Sequence, residues 1–307
     1  LSESATRPEA SDRTAQGIIL ILGSVLLMAF ADAMVKLASG DLTVWQIFAT
    51  RSVIALPLMA LIALVADRRG FRLISPGWSM VRSVLLVLTW LTFYASLPLL
   101  TLSVAAVAVY TNPIMIALLS AVLLGQPVTG RQWGGVLLGF AGVVTILRPG
   151  TDSFSWAVLL PLLAAALYAM SMVLTRLKCR EESPIALGLA LHGSFVVTGL
   201  AATGLLALFP PSAEAAFANP FLLGQWATMN RDAWGLMALL GLLSAAYFVG
   251  VARAYQIAPP QIIATFDYAY LVSATVWGFV FFAEAPDAFT LAGMVLITVA
   301  GLMVARR

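Results

Sequence analysis

YTNPIMIALLSAVLLGQ, residues 110–126, and YAYLVSATVWGFVFFAE, residues 268–284, align end to end at an offset of 158 residues. Tyr110 falls on Tyr268, the LLGQ closing the first stretch falls on the FFAE closing the second, and Gly135 falls on Gly293 beyond them. With one residue of slippage, Gly134 and Gly142 fall on Gly293 and Gly301. An internal repeat is therefore written in apolar segments. The surrounding chain has the composition for it: of 307 residues, 61% are hydrophobic and 10% charged, with mean hydropathy +0.98. A soluble domain carries about 25% charged residues, so the chain reads as an all-α polytopic membrane protein.

Outward from the repeat, the sequence divides into apolar runs near the length of about 20 residues that a helix needs to cross the hydrocarbon. They fall at 17–38, 43–66, 77–97, 102–124, 131–147, 156–176, 185–208, 233–256, 260–283 and 287–305. Ten transmembrane helices are expected, the fifth and tenth short. Spans one to five, within 17–148, correspond to spans six to ten, within 156–305. A five-span unit has an odd number of crossings, so its copy enters from the opposite side, giving two inverted five-helix repeats. Secondary transporters have this architecture, with substrate near the midplane between halves that rock about it.

Residues 1–16, LSESATRPEASDRTAQ, are polar and aperiodic and read as a disordered cytoplasmic tail without a signal-peptide pattern. Lys and Arg concentrate in cytoplasmic connectors. With the N-terminus inside, thirteen fall on the inner side (Arg7, Arg13, Arg68, Arg69, Arg72, Arg82, Arg131, Arg176, Lys178, Arg180, Arg253, Arg306, Arg307) and three on the outer (Lys36, Arg148, Arg231), with Arg51 inside a span. Both termini are therefore expected in the cytoplasm. The long connector 209–232 then lies outside, with Phe221 and Trp226 at the membrane interface or in a lid. The scattered charge and net +3 give no nucleic-acid patch. The single Cys179 excludes a disulfide framework and a zinc cluster, and neither metal nor cofactor is expected.

The stretches ATRSVIALPL (49–58), YTNPIMIALLSAVLLGQPVTGRQWGGVLLGFAGVV (110–144) and FFAEAPDAFTLAGMVLITVAGL (281–302) together resemble the drug/metabolite transporter superfamily, in its ten-span branch of two EamA-type repeats. Within it the chain looks most like the bacterial exporters of aromatic amino acids. The resemblance covers nearly all of the chain after residue 16, and it implies a multi-pass protein of the bacterial inner membrane. The chain departs from the family pattern in three places: Gly125-Gln126 where Gly-Glu is usual, AFADAMVK (29–36) where span one commonly has Trp-Gly, and Leu271 opposite Pro113.

An ionisable group inside a bilayer must face a cavity, pair or become neutral. Asp32 and Arg51 lie at similar depths, roughly 9 and 12 Å below the outer ends of spans one and two, and are expected to pair. The pair is either a clamp on the two spans or an outer gate coupled to substrate, and Lys36, four residues on, competes for the carboxylate. Asp267, roughly 10 Å above the inner end of span nine, is expected to pair with Arg253 across the Pro259-Pro260 turn. It is a structural half-pair, an inner gate, or a proton or ammonium site. Asp267, Tyr270, Ala274 and Trp277 share one helix stripe, from which Tyr270 and Trp277 are expected to line the substrate cavity.

Trp90, Phe93 and Tyr94 on span three, and Ser244, Tyr247 and Phe248 on span eight, have i, i+3, i+4 spacing. At a repeat interface they line a greasy pocket, with Tyr110, Asn112 and Tyr168 as further members. Such stripes otherwise pack or face lipid. His192 is expected to hydrogen-bond a neighbouring helix, and Glu284 to be solvated. The glycine pairs in spans five and ten stiffen the halves or join two protomers into a homodimer. The expected partners are the lipid bilayer and small molecules. The sequence thus points to export of small amphipathic metabolites, with aromatic or hydrophobic amino acids foremost. A phosphorylated or nucleotide-linked sugar antiporter is the second reading. An intramembrane hydrolase is the distant third, since HExxH, GxSxG and GxGD are missing. No Walker lysine appears, so transport would run on gradients.

Overall fold

The structure is a computed structural model, and it describes residues 9–66, 71–123, 130–147 and 155–305. Apolar residues recur without a polar face, so the helices are greasy all round and form a bundle suited to lipid. In order they are α1 (Glu9–Ala38), α2 (Val44–Ala66), α3 (Pro76–Ser96), α4 (Leu102–Val109), α5 (Asn112–Leu123) and α6 (Gly130–Leu147). A turn of 3₁₀ helix at Trp156–Val158 leads into α7 (Leu159–Lys178) and α8 (Pro184–Leu208). Then come α9 (Ala213–Ala218), α10 (Pro220–Leu223), α11 (Arg231–Ile257), α12 (Pro260–Phe266), α13 (Ala269–Phe282) and α14 (Ala288–Ala305). Among the described residues, eight segments are long and apolar enough to span a membrane: α1, α2, α3, α4 with α5, α7, α8, α11, and α12 with α13. Shorter apolar helices lie in α6 and α14. The protein is an all-α polytopic membrane protein, and large apolar side chains such as Val65, Phe140 and Val272 face outward.

The most extensive contacts between helices exchange symmetrically. α1 packs on α11 and on α13; in the second part, α7 packs on α3 and on α4 and α5. α2 packs on α11 as α8 packs on α3, while α2 meets α8, α6 meets α14, and α4 and α5 meet α13 and α12. Exchanging the segments before residue 148 with those after 155, in order, leaves this set of pairs unchanged.

α6 and α14 approach closely because they are studded with small residues. A Cβ on Gly142 would stand 2.9 Å from Ile297 Cγ1 and 3.1 Å from the Gly293 carbonyl oxygen. Gly142 thus serves contact within one chain. The connector after α8 is anchored: Gln46 on α2 donates to the Ala227 carbonyl at 2.7 Å and accepts from its N–H at 3.0 Å, and Trp45 donates to the Leu222 carbonyl. Phe221 is buried beneath it. α1 begins at Glu9, inside the stretch expected to be disordered, because the polar turns continue the helix of the apolar run. Residues 1–8, Arg68, Arg69, Gly125, Gln126, Arg148, Arg306 and Arg307 lie outside the described residues.

Candidate substrate site

Two spans are broken at corresponding positions. Between α4 and α5 the break is Tyr110-Thr111, and between α12 and α13 it is Asp267-Tyr268, one residue out of register at the 158-residue offset. Pro113 explains the first, since it has no N–H to give the Val109 carbonyl. The second has no proline, yet Tyr270 and Leu271 donate to carbonyls three residues back, Asp267 and Tyr268, at 3.0 Å each, so the helix tightens there.

The breaks flank a cavity. Asp32 and Met28 of α1, Trp90 and Phe93 of α3, Tyr110 at the first break and Tyr270 of α13 form most of its wall; Thr89, Val109, Asn112 and Tyr168 complete it. Its volume is about 30 Å³. That is room for a water or two, so the site is contracted. Tyr110 and Tyr270 stack at 4.7 Å between ring centroids. Trp90 Nε1, Tyr168 Oη and Asn112 Oδ1 are buried without hydrogen-bond partners among the described residues.

Asp32 is fully buried and accepts from Tyr270 Oη at 2.7 Å and from Tyr94 Oη at 3.1 Å. Arg51 Nη1 donates to the same Tyr94 oxygen at 2.8 Å. Asp32 and Arg51 therefore meet through a phenol, and no direct ion pair joins them among the described residues. The guanidinium is 0% exposed and faces the rings of Phe48, Tyr94 and Phe195 at 4.9–5.3 Å, which is cation–π range. Its Nε and Nη2 have no hydrogen-bond partner among the described residues. Tyr247 stands near it, just outside hydrogen-bonding geometry, and packs on Trp90 at 6.1 Å and Phe248 at 4.5 Å.

Other expected residues lie elsewhere. Ser244 is buried and donates back to the Gly241 carbonyl. Trp277 packs on Phe30 and Phe281, away from the cavity. Lys36 leaves Asp32 alone and pairs at 2.6 Å with Glu284, which is tied down rather than solvated. Asp267 does not pair with Arg253. It accepts from Tyr255 Oη at 2.7 Å, its Oδ1 has no partner among the described residues, and Arg253 is exposed. His192 Nδ1 lies 3.0 Å from Ser52 Oγ on α2, in the helix-to-helix bond expected of it. Sequence reading missed Tyr255 and Arg82. Arg82 was counted to a connector but is buried in α3, where Nε donates to Thr175 Oγ1 at 2.7 Å.

Residues 15–148 match the EamA-like transporter family. Along most of its length the chain is similar to a riboflavin transporter of Rhizobium johnstonii, at 29% identity over 87% of this chain and 81% of the relative. It is 28% identical to a pseudopaline exporter of Pseudomonas aeruginosa over 96% of this chain and 98% of the relative. It is 22% identical to an S-adenosylmethionine uptake transporter of Rickettsia prowazekii over 94% and 92%. A crystal structure of a protein 18% identical to this one superposes with a TM-score of 0.62, covering 97% of this chain and 96% of its own, and shows the fold alone. Fold and relatives define a multi-pass bacterial membrane protein that transports rather than catalyses. It is a secondary transporter of small metabolites.

Proposed function

We propose that the chain exports small amphipathic metabolites carrying a planar ring, aromatic amino acids foremost, by alternating access about the cavity between two inverted five-span repeats. The observation that carries this is the cavity itself: Trp90, Phe93, Tyr110, Tyr168 and Tyr270 surround one carboxylate, Asp32, at the two helix breaks. Broken helices at the midplane are where secondary transporters hold substrate, and stacked aromatics with a few polar groups suit a flat ring. The exchange symmetry of helix neighbours supports the inverted repeats. Relatives named for riboflavin and S-adenosylmethionine are consistent with ring recognition.

Counterflow into proteoliposomes, with labelled tryptophan, tyrosine, phenylalanine and riboflavin, tests the proposal. Exchange of at least one aromatic amino acid is expected, and Tyr270→Ala or Trp90→Ala should reduce it about tenfold or more at equal folded protein. Absence of exchange across the panel, or wild-type rates in both variants, overturns it.

A further inference from the structure

Arg51 raises a question the cavity does not answer. A guanidinium with no solvent exposure has one of its nitrogens bonded, to a neutral phenol, while among the described residues Nε and Nη2 have no acceptor in hydrogen-bonding geometry, although the Tyr247 hydroxyl stands near. Buried donors without acceptors are rare in folded proteins, and a buried cation lacking an anion is costlier still. Beyond the phenol lies a buried carboxylate, Asp32, on the cavity wall. Two opposite charges are thus held on α1 and α2, at most about 6 Å apart through one hydroxyl. They are separated by a side chain that can rotate.

We propose that Tyr94 is a placeholder and that Asp32 and Arg51 are the two poles of a site for a zwitterionic head group, the ammonium going to Asp32 and the carboxylate to Arg51. This deepens the proposed function and rests on it, naming the head group where the cavity names the ring. The Tyr94 hydroxyl performs both roles of an α-amino acid head: it accepts from the guanidinium and donates to the carboxylate. A carboxylate in its place engages the idle Nε and Nη2 in the forked geometry that guanidinium favours. The contracted cavity must widen as the phenol swings out, and the aromatic walls then take the ring of the same molecule.

Competition against labelled tryptophan, using purified protein in proteoliposomes, reads the head group directly. Wild type should bind tryptophan at least tenfold more tightly than tryptamine, which lacks the carboxylate, and than indole-3-propionate, which lacks the amine. Arg51→Gln should erase the preference over tryptamine alone, and Asp32→Asn the preference over indole-3-propionate alone. Tyr94→Phe keeps the ring but removes the competitor for both poles, and should bind tryptophan as tightly as wild type or a few-fold more tightly. A purely structural relay would instead be weakened by that change. Equal wild-type affinity for tryptophan and tryptamine overturns the site while leaving export of aromatics standing. If none of the three indoles binds the site falls, and if tyrosine, phenylalanine and riboflavin also fail to exchange the proposed function falls with it. The wild-type series decides even if a variant fails to fold.

Discussion

Asp267 shows what depth along a helix reveals and what it hides. Its height in the bilayer, and the presence of a partner on the preceding helix, follow from counting residues. The partner does not, because Arg253 and Tyr255 are two positions apart on α11, about 200° around the axis, and the choice between them is made by packing. Tyr255 points inward with no exposure and donates to Asp267, while Arg253 points out. Tyr255→Phe should therefore destabilise the protein by about 1–3 kcal/mol, the scale of leaving a buried polar group without its partner, seen as a lower unfolding midpoint in detergent. The double exchange Asp267→Arg with Arg253→Asp should rescue nothing that Asp267→Arg loses, and recovered transport would reinstate the ion pair. The same gap between height and azimuth explains the other residues. Asp32 and Arg51 were legible as a level pair, but the intervening Tyr94 was legible only as a member of an aromatic stripe. Arg82 stayed hidden because its burial depends on Thr175 of α7, ninety-three positions away.

At the scale of elements, the apolar runs were nearly complete in the sequence, since span length and all-round hydrophobicity need no tertiary information. The breaks were only half legible. Asn112-Pro113 announces one, whereas the other carries Leu271 where proline would stand and is recognisable only through the repeat. The start of α1 was misplaced because a polar turn can extend a helix whose stability comes from the apolar part. The glycines of α6 and α14 mark an interface that sequence could announce but not assign to one chain or two. Gly142→Leu places a branched side chain where even a Cβ would lie 3.0 Å from Leu296 Cβ and 2.9 Å from Ile297 Cγ1. Overpacking of that kind costs about 1–3 kcal/mol, so the variant should show a lower unfolding midpoint. Gly134→Ala, whose added carbon meets only Met303 Cε at 3.5 Å, should match wild type. Equal stability of both variants would mean that α6 and α14 do not pack as described.

For the molecule as a whole, two carboxylates tie opposite ends of the bundle. Glu284, following α13, holds Lys36 and accepts from the Leu102 N–H at 2.7 Å, while Lys36 also donates to the Leu100 carbonyl at 2.8 Å. At the other end Glu182, following α7, accepts from the N–H groups of Ile74 and Ser75 just before α3, where a helix start favours an anion. Gln256 of α11 donates to the Cys179 and Glu182 carbonyls at 2.9 and 2.8 Å, and Arg176 donates to the Gln256 carbonyl. With both ties made, the cavity between them is small, and on the proposed alternating access exchange of substrate requires one to part while the other holds. Cys179 reports this, being the chain's single cysteine and fully buried beside the Glu182 tie. Burial pushes its thiol up from the ordinary value, and only the thiolate reacts, so maleimide labelling should be slow and should keep accelerating beyond the pH where an exposed thiol levels off. Glu182→Ala should speed labelling several-fold at fixed pH. Glu284→Gln, which loosens the far end and favours the state open there, should slow it below the wild-type rate. If both variants speed it alike, the two ties are not opposed and rocking between them is wrong. The same thiol tests orientation: with both termini cytoplasmic, a membrane-impermeant maleimide should reach Cys179 in inverted vesicles and not in intact cells, and the reverse pattern would turn the molecule over in the membrane.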